Sequence, residues 1–505
     1  MSATTLIPPK EAQHRRSYAV AAWAALALIT LLAAVVQLHA ITAKSLWLDE
    51  GASLAIARLD WFNFCRILWR REMNMVLYYL LLRVWLHFGD SVAYIRGLSV
   101  VFGVAAVPAI FLLARKMQGT MVGLLSALLL TVNAFQVRYA QEVRSYSLLV
   151  FMVVMSSYCF VRAAHTGSRR DWSYYIATGA LASYTHFFAV LVVLSHWLAI
   201  RLIVRARIHT IETLGPNIQA QSNRAARLIA LWTLPIWIFI ATTGAGPIAW
   251  IRRPGWEDLL HLLEILAGNV QAPWLFLYLI CVAMGLLPAI LAIVRNGEID
   301  SDRIVLACWL LLPIVIVLLV SIARPVFAPR YFIICLPAWV VLAATGITSL
   351  RSRVAGGLMV VALVFLGVEG VRSFYKADFD IGRNDVRSAT AYILEHARTG
   401  DAIIFYTLST RFPYDYYAAR STSTVKPEIV WPGTNSHLGW RDFMGTPSPS
   451  RVPEFANGHP RIWMVATSPV SGDPRMSVFQ AAVEREFRLA GTQEFPYIYV
   501  SLFER

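Results

Sequence analysis

The feature that most constrains this chain is a series of long apolar stretches. A helix needs about 20 mostly apolar residues to cross the hydrocarbon core of a bilayer. By that measure the sequence predicts eleven spans, at residues 18–40, 92–114, 119–137, 145–163, 172–187, 188–204, 228–245, 273–294, 303–323, 331–349 and 354–372. The chain is 57% hydrophobic and only 15% charged, which excludes an ordinary soluble enzyme and a disordered chain. We therefore predict a polytopic α-helical membrane protein.

The basic residues predict how these spans are oriented. The net charge is +15: residues 1–375 carry 31 Lys and Arg against 16 Asp and Glu, while residues 376–505 carry 14 of each. Cytoplasmic loops retain Lys and Arg, and the basic clusters fall in alternate loops, at Lys10–Arg16, Arg115–Lys116, Arg169–Arg170, Arg201–Arg227, Arg295–Arg303 and Arg351–Arg353. We expect a cytoplasmic N-terminus, an uncleaved first span, an outer C-terminal region and no nucleic-acid partner.

Amphipathic stretches fill the loop between the first two spans. Residues 51–71 place Trp61 and Leu68 at helical spacing, with several arginines on the remaining surface, and residues 74–89 form a second apolar stretch. Neither stretch is long and apolar enough to be a convincing span. This pattern predicts helices that lie in the membrane interface.

Two adjacent carboxylates, Asp49 and Glu50, lie where the chain leaves the first span. Side chains of adjacent residues on a helix diverge by about 100°, so a shared ligand would require an irregular turn. One interpretation is that they stabilise the start of the next helix, whose first amides favour negative charge. The other is that a carboxylate at the membrane boundary, beside Trp47, acts as a base on a substrate that is half lipid.

The next outer turn is unusually polar. Eight hydrogen-bonding side chains fall between Gln136 and Tyr146, whereas a simple tight turn normally uses Gly, Pro, Asn and Asp. A solvated loop is the alternative explanation. We interpret the turn as part of a site whose candidate members are Arg138, Glu142, Arg144 and Tyr146.

Further polar groups lie at two other outer turns, with His186 at one and Arg330 and Tyr331 at the other. For His186 the alternative is a hydrogen-bonded histidine at the interface without a further role. These turns can converge on one cavity at the outer face. Arginine binds phosphate through paired donors, so the set predicts an anionic, lipid-anchored substrate.

These segments resemble the integral-membrane GT-C glycosyltransferases, in particular the bacterial branch related to protein O-mannosyltransferases and the lipid A aminoarabinose transferase. The resemblance covers roughly residues 18–350. It is carried by WLDEGASLAIAR (residues 47–58), VLYYLLLRVWLHFGDSVAYIRGLSVVFG (76–103), VRYAQEVRSYSLLV (137–150) and PRYFIICLPAWVVLAA (329–344).

The resemblance implies a role for each candidate. Asp49 would be the general base on the acceptor, and Glu50 would orient it or bind sugar. Glu142 and Arg144 would line the same cavity, with Arg330 and Tyr331 near the carrier phosphate.

One departure from the family pattern concerns the segment before Leu77-Tyr78-Tyr79. Relatives often have a His or Lys followed by Pro-Pro there, but this chain has Asn74-Met75-Val76. Asn74 and Tyr78 remain substrate-binding candidates. The phosphate role of the missing cation must pass to one of four residues, Arg330, His186, Arg138 or Arg144.

The implied activity is transfer of a sugar from a polyprenyl-phosphate carrier to an acceptor hydroxyl of a lipid, glycan or protein, on the outer face of a bacterial cytoplasmic (inner) membrane. Because phosphate is a good leaving group, cations can replace a general acid, and a single carboxylate base would then give inversion. The first outer loop lacks Asp-x-Asp and no ligand pair has metal spacing, so we expect no cofactor, and a divalent metal is possible but not indicated.

The alternative function is a polytopic transporter or a lipid-linked-sugar flippase, which would also need many spans. Transporters place ionisable groups near the bilayer midplane, often in repeated halves. Here the informative charges cluster at the outer ends of the spans, and no repeated halves stand out. This distribution favours the enzyme.

The C-terminal residues have a different composition, with balanced charge and Pro and Gly in loops. Apolar patterning predicts strands at 401–406, 460–466 and 496–503, and helices at 384–397 and 476–488. We therefore predict two domains, a transmembrane GT-C-like catalytic domain (1–375) and an α/β domain outside the membrane (376–505).

Overall fold

Long helices dominate the computed structural model, which describes residues 10–205, 217–243, 251–295, 300–377, 383–433, 447–467 and 473–505. The chain divides into two units. The helical unit comprises Met1–His39, Met73–Tyr78 and Arg96–Phe374, and the sheet unit comprises Ala40–Glu72, Tyr79–Ile95 and Tyr375–Arg505. The sheet unit thus combines C-terminal residues with most of the first outer loop. The functional division at residue 375 stays a prediction.

The first 376 residues contain seventeen described α-helices. In order, these are α1 (Lys10–Leu38), α2 (Leu48–Arg58), α3 (Trp61–Ile67), α4 (Val76–Trp85), α5 (Val92–Gln118), α6 (Thr120–Thr131), α7 (Ala134–Ala140), α8 (Tyr146–Thr166), α9 (Arg169–Thr185), α10 (Ala189–Arg205), α11 (Ile218–Trp232), α12 (Leu234–Thr243), α13 (Trp256–Leu266), α14 (Ala272–Arg295), α15 (Ser301–Ala323), α16 (Leu336–Thr348) and α17 (Arg353–Lys376). A π-helical turn (Leu68–Glu72) and a 3₁₀ turn (Met73–Met75) precede α4, and a 3₁₀ segment (Pro329–Cys335) precedes α16.

Seven helical stretches in the described ranges are long and apolar enough to cross a membrane: Ser17–Leu38, Val92–Gln118, Tyr146–Thr166, Ala272–Leu291, Ser301–Ala323, Pro329–Thr348 and Arg353–Lys376. Two bent pairs, α6 with α7 at 60° and α11 with α12 at 55°, bring the possible number to nine. The other two predicted spans, 172–187 and 188–204, correspond to α9 and α10, of 17 residues each. The multi-pass architecture is confirmed, while the count of eleven stays a prediction; residues 244–245 of one predicted span lie outside the described residues.

Close helix packing in the helical unit depends on small residues. Of the seven stretches, Pro329–Thr348 is the most enclosed, with 89% of its apolar window buried. A Cβ atom on Gly346 of α16 would collide with the backbone carbonyl of Cys281 in α14. Because helices in lipid associate through tight van der Waals contact, glycine allows these two backbones to approach.

The first outer loop forms the short helices that its amphipathic pattern predicted. Asp60 caps α3 through its carboxylate, which accepts a hydrogen bond from the Asn63 amide at 3.1 Å. Arg83 of α4 donates to the carbonyl oxygens of Ala57 and Leu59, at 3.0 and 2.6 Å, and so ties α4 to the end of α2. Both arginine contacts lie within the sheet unit.

The C-terminal residues form a five-stranded sheet with helices on both faces. The strands are β1 (Ala402–Phe405), β2 (Glu428–Trp431), β3 (Arg461–Thr467), β4 (Arg488–Phe495) and β5 (Ile498–Glu504), in the order β2-β1-β3-β5-β4. β1 is parallel to β2 and β3, and β5 is antiparallel to β3 and β4. The helices are α18 (Val386–His396), α19 (Arg411–Arg420), α20 (Val452–Ala456) and α21 (Pro474–Val483).

Alternation along the central strands builds two cores. Ile404 and Met464 face the core that contains Phe455 of α20 and Phe479 of α21. On the opposite face, Ile403 and Trp463 pack with residues of α18 and α19. Successive side chains of a strand point to opposite faces, so this sheet is covered on both sides. The predicted C-terminal α/β fold is confirmed.

A buried ion pair joins the residue before β1 to the first residue of β3. Arg461 donates to both carboxylate oxygens of Asp401, at 2.8 and 2.6 Å, and the Trp463 indole donates to one of them at 2.9 Å. Burial alone would raise the pKa of Asp401, but the hydrogen bonds from Arg461, the Arg398 amide and Trp463 outweigh it and hold that pKa below its usual value. Stabilisation from this pair is therefore present above the unfolded-state pKa and is lost as the pH falls.

Candidate active site

The polar turn between α6 and α8 is partly helical, because Asn133 interrupts the predicted continuous span. The Asn133 Oδ1 accepts hydrogen bonds from the amides of Phe135 and Gln136, at 3.0 and 3.2 Å, and its Nδ2 donates to the Leu266 carbonyl at 3.0 Å. An Asn at this position satisfies the first amides of a helix. The helix α7 therefore starts at Ala134 and presents the first residues of the predicted turn.

Glu142 and Arg138 form an ion pair one helical turn apart. The Arg138 Nε lies 3.6 Å from the Glu142 Oε1, and the carboxylate is almost fully buried while the arginine is partly exposed. A buried carboxylate requires a compensating charge. The pair is thus held inside the helical unit, with its arginine at the more accessible side.

The backbone of Arg144 is fixed by a short chain of hydroxyl groups. The Tyr78 and Ser99 hydroxyl groups are 3.0 Å apart, and the Ser99 Oγ donates to the Arg144 carbonyl at 3.3 Å. The Arg144 amide also donates to the Glu142 carbonyl at 2.8 Å. Tyr78, predicted as a substrate-binding residue, is fully buried and supports the turn that carries Arg144.

Aromatic rings connect three of the predicted outer turns. The ring centroids of Tyr146 and His186 are 6.0 Å apart, and those of His186 and Tyr331 are 5.2 Å apart. Arg144 and Arg330 both act electrostatically on the His186 ring and on the Tyr146 hydroxyl. Five predicted site residues from separate segments are therefore neighbours within the helical unit.

The hydrogen bonding of His186 indicates which ring nitrogen carries the proton when the ring is neutral. Its Nδ1 accepts a hydrogen bond from the Phe188 amide at 3.3 Å, so a neutral ring carries its proton on Nε2. The residue is buried at the end of α9. With Nδ1 engaged as an acceptor, the Nε2–H of a neutral ring is the group left to donate to another partner.

Asn74 lies on the 3₁₀ turn Met73–Met75 of the helical unit and is partly buried. This turn contacts α9, whose last residue precedes His186. The departure from the family pattern thus occurs next to the helix that carries the histidine.

Asp49 and Glu50 occupy the first turn of α2, in the sheet unit. Trp47 is the N-cap residue and makes no side-chain capping bond. Asp49 is partly exposed and Glu50 is fully buried, as expected for adjacent side chains that diverge around a helix. The more accessible carboxylate is therefore the one predicted to act as the base.

Some supporting residues had no local sequence signal. Ser99 and Asn133 lie inside apolar stretches. Arg387 and Tyr417 bond to the segment just before Asp49, although both lie more than 300 positions later in the chain. Their importance depends on contacts that only the folded chain creates. Across the described ranges, no group of three or more His, Cys, Asp or Glu side chains has a metal-binding arrangement, and the expectation about metals stays a prediction.

Comparison with known proteins shows which sequences and structures this chain resembles. A sequence model for dolichyl-phosphate-mannose-protein mannosyltransferases matches residues 74–221, and no curated protein sequence matches the chain significantly. ArnT from Cupriavidus metallidurans bound to undecaprenyl phosphate has a similar structure, with a TM-score of 0.59 and 12% identity over 94% of this chain and 97% of that one.

A second similar structure is the archaeal oligosaccharyltransferase AglB from Archaeoglobus fulgidus in complex with an inhibitory peptide and a dolichol-phosphate. The TM-score is 0.51 with 9% identity, over 92% of this chain and 71% of that one. These similarities confirm the fold: the chain has the architecture of an integral-membrane GT-C glycosyltransferase and resembles ArnT and the protein O-mannosyltransferases.

Proposed function

We propose that this protein transfers a sugar from a polyprenyl-phosphate carrier to an acceptor hydroxyl, on the outer face of a bacterial cytoplasmic membrane. The observation that carries the proposal is the cluster in the helical unit, where the Tyr146, His186 and Tyr331 rings are neighbours at centroid distances of 6.0 and 5.2 Å. Arg144 and Arg330 lie beside Tyr146 and Tyr331 in the chain. The similar ArnT and AglB structures contain undecaprenyl phosphate and dolichol-phosphate. A lipid phosphate is the anion that suits paired arginines in a membrane protein.

The proposed reaction is a single displacement. The acceptor oxygen attacks the anomeric carbon while the bond from that carbon to the phosphate oxygen breaks, and the bonding pair leaves with the phosphate. Asp49 takes the proton of the acceptor hydroxyl as general base. Attack opposite the phosphate inverts the anomeric centre, by analogy with single-displacement glycosidases.

The cations replace a general acid at the leaving group. Arg330 and Arg144 stabilise the negative charge that develops on the departing phosphate, since fixed charges in a water-poor site act strongly on developing charge. The His186 Nε2–H is a further donor to this phosphate, with Tyr331 beside its ring. Arg138 is the remaining candidate cation, already paired with Glu142.

The other carboxylates have supporting roles in this proposal. Glu142 holds Arg138 in position, and the buried Glu50 orients Asp49 or contacts the sugar. Asn74 and Tyr78 contribute near the carrier, Tyr78 through the Ser99 link to Arg144. The acceptor is a hydroxyl of a lipid, glycan or protein, and the mechanism uses no cofactor.

Replacing Asp49 with Asn tests the assignment of the base. The substitution removes the proton acceptor with little change in size, and we expect transfer from a polyprenyl-phosphate-linked sugar to fall about 10²- to 10⁴-fold. The assay uses membranes that contain equal amounts of each variant. Asp60→Asn is the matched control, because an Asn retains the capping oxygen in the same loop.

Near-normal turnover by a well-expressed Asp49→Asn protein would remove Asp49 as the base. Mass analysis of envelope glycans and lipids, with and without the protein, would then identify the transferred sugar and the acceptor. An unchanged glycan and lipid profile would contradict the transferase proposal itself.

A further inference from the structure

We infer that Arg387 and Tyr417 are positioning residues for the Asp49 carboxylate, and that this is one task of the C-terminal part of the sheet unit. The inference rests on the proposed function, because it concerns the proposed base. We do not propose that the guanidinium of Arg387 or the hydroxyl of Tyr417 contacts the substrate. Both act on the backbone of the carboxylate segment, which we define as residues 42–50.

Arg387, near the start of α18, holds the beginning of the carboxylate segment. Its Nη2 donates to the carbonyl oxygens of Thr42 and Lys44, at 2.7 and 3.0 Å. Its backbone amide donates to the Ser45 Oγ at 3.1 Å. One residue therefore makes three hydrogen bonds to a short stretch that has no regular secondary structure.

Tyr417, on α19, holds the next residue of the same segment. Its hydroxyl oxygen accepts a hydrogen bond from the Leu46 amide at 2.8 Å, and Leu46 is fully buried. The Arg387 guanidinium carbon lies 5.8 Å from the centroid of the Tyr417 ring. The two residues are thus neighbours and support consecutive parts of one backbone.

Gly51 supports the other side of Asp49. A Cβ atom at this position would lie 2.8 Å from the Phe412 Cβ and 2.9 Å from the Pro413 Cδ, both at the start of α19. The first turn of α2 therefore lies directly against α19, which also carries Tyr417. Contacts at Leu46 and at Gly51 fix the backbone on both sides of Asp49.

This arrangement has a consequence for catalysis. A base must be held within a narrow range of distances and angles from its proton, and a displacement of about 1 Å can cost about 10²-fold in rate. Without the side-chain groups of Arg387 and Tyr417, the segment between α1 and α2 would lose three hydrogen bonds to its backbone, while the backbone amide of residue 387 would still donate to Ser45. The proposed base would then sample unproductive orientations.

Tyr417→Phe and Arg387→Ala test this inference, and Tyr416→Phe is the matched control. The Tyr416 hydroxyl donates to the Asp90 carbonyl at 2.8 Å, so its loss breaks a bond to the same outer loop but outside the carboxylate segment. Arg387→Lys keeps the charge and a donor and should restore part of the Arg387→Ala defect. The full-length protein is used throughout.

Two measurements are made on each variant. Hydrogen–deuterium exchange of peptides covering residues 42–50 reports whether the segment has loosened. Transfer kinetics report kcat and the KM for the polyprenyl-phosphate-linked sugar. We expect Tyr417→Phe and Arg387→Ala to increase exchange and to lower kcat roughly tenfold or more without a matching rise in KM, and Tyr416→Phe to change neither.

Unchanged exchange in both test variants would overturn the inference, as would faster exchange with an unchanged kcat. An equal loss of kcat in Tyr416→Phe would also overturn it, since any loop contact would then suffice. Failure of the unmodified protein to transfer sugar would instead contradict the proposed function, and the inference would fall with it. Activity of the unmodified protein therefore separates the two failures.

Discussion

The carboxylate segment and the polar turn that carries Glu142 and Arg144 are supported by contacts of different range. The carboxylate segment is bonded to residues that lie 342 to 371 positions later in the chain. The hydrogen bonds described for the polar turn join it to Asn133, Ser99 and Gln37, which lie 3 to 104 positions away within the helical unit. The proposed phosphate-binding cations thus depend on neighbouring helices, whereas the proposed base depends on the C-terminal region.

We therefore expect that stabilisation of the departing phosphate and proton removal by Asp49 can be impaired separately. A change among the cations should impair donor use while leaving the sheet unit intact. A substitution of a residue that holds the carboxylate segment should first lower the stability of the sheet unit or increase hydrogen–deuterium exchange in that segment. Substitutions in each region therefore test whether the two regions respond separately.

Arg330→Ala should have the largest effect in the helical unit. Removing a charge that stabilises the departing phosphate should lower kcat about 10²- to 10³-fold, with unchanged thermal stability of the sheet unit. Transfer kinetics and thermal unfolding in detergent measure the two quantities. Arg324→Ala is the control, because Arg324 is an exposed arginine in the same loop. Equal donor dependence in the two variants would remove Arg330 from the phosphate site.

Gly51→Ala should have the next largest effect, this time in the sheet unit. The new methyl group meets Phe412 and Pro413 below normal contact distance, and overpacking of this kind costs about 1–3 kcal/mol. We expect a lower unfolding temperature and increased exchange in residues 42–50.

Gly357→Ala is the matched control for that substitution, because a Cβ there meets nothing within 4 Å. Alanine is the better helix former by about 1 kcal/mol, so the control should not destabilise the protein. A Gly51→Ala protein as stable as the control would show that α2 and α19 are not closely packed.

Asn133→Ala should have the smallest effect on sugar transfer, because Asn133 supports the polar turn but carries none of the proposed chemistry. Loss of the capping oxygen costs about 1 kcal/mol. Hydrogen–deuterium exchange should increase in α7 and remain unchanged in residues 42–50. Asn133→Ser, which keeps a capping oxygen, should recover much of the protection. Increased exchange in the carboxylate segment would contradict the separation of the two regions.

Much of the fold followed from apolar patterning. The long spans, the short helices of the first outer loop and the break at His186 were all predicted, because each depends on local hydrophobicity or on a local interruption. The edge strands β2 and β4 were missed. The side chains of β4 are largely exposed, so this strand lacks the apolar alternation that marked the buried strands. β2 is partly buried but only four residues long, which is too short for a clear pattern.

The candidate site was predicted unevenly for a related reason. Arg144, Tyr146, His186, Arg330 and Tyr331 were recognised as polar residues at the ends of apolar spans, and the structure brings them together. The interruption at Asn133 was missed, because one polar side chain within an apolar run does not reveal that it will cap a new helix. The catalytic roles remain proposals that the substitutions above test.

The amino-acid sequence was enough to predict that this chain spans a membrane many times, where its excess positive charge lies and which polar residues interrupt its apolar stretches. These properties depend on the free energy of transferring individual side chains from water to lipid. The composition and spacing of the residues are enough to judge that free energy. The hydrogen bonds of Arg387 and Tyr417 to the carboxylate segment, and the link from Tyr78 through Ser99 to Arg144, became visible only in the folded chain. Such contacts join residues far apart in the chain, and their geometry arises only when the helices and strands have packed.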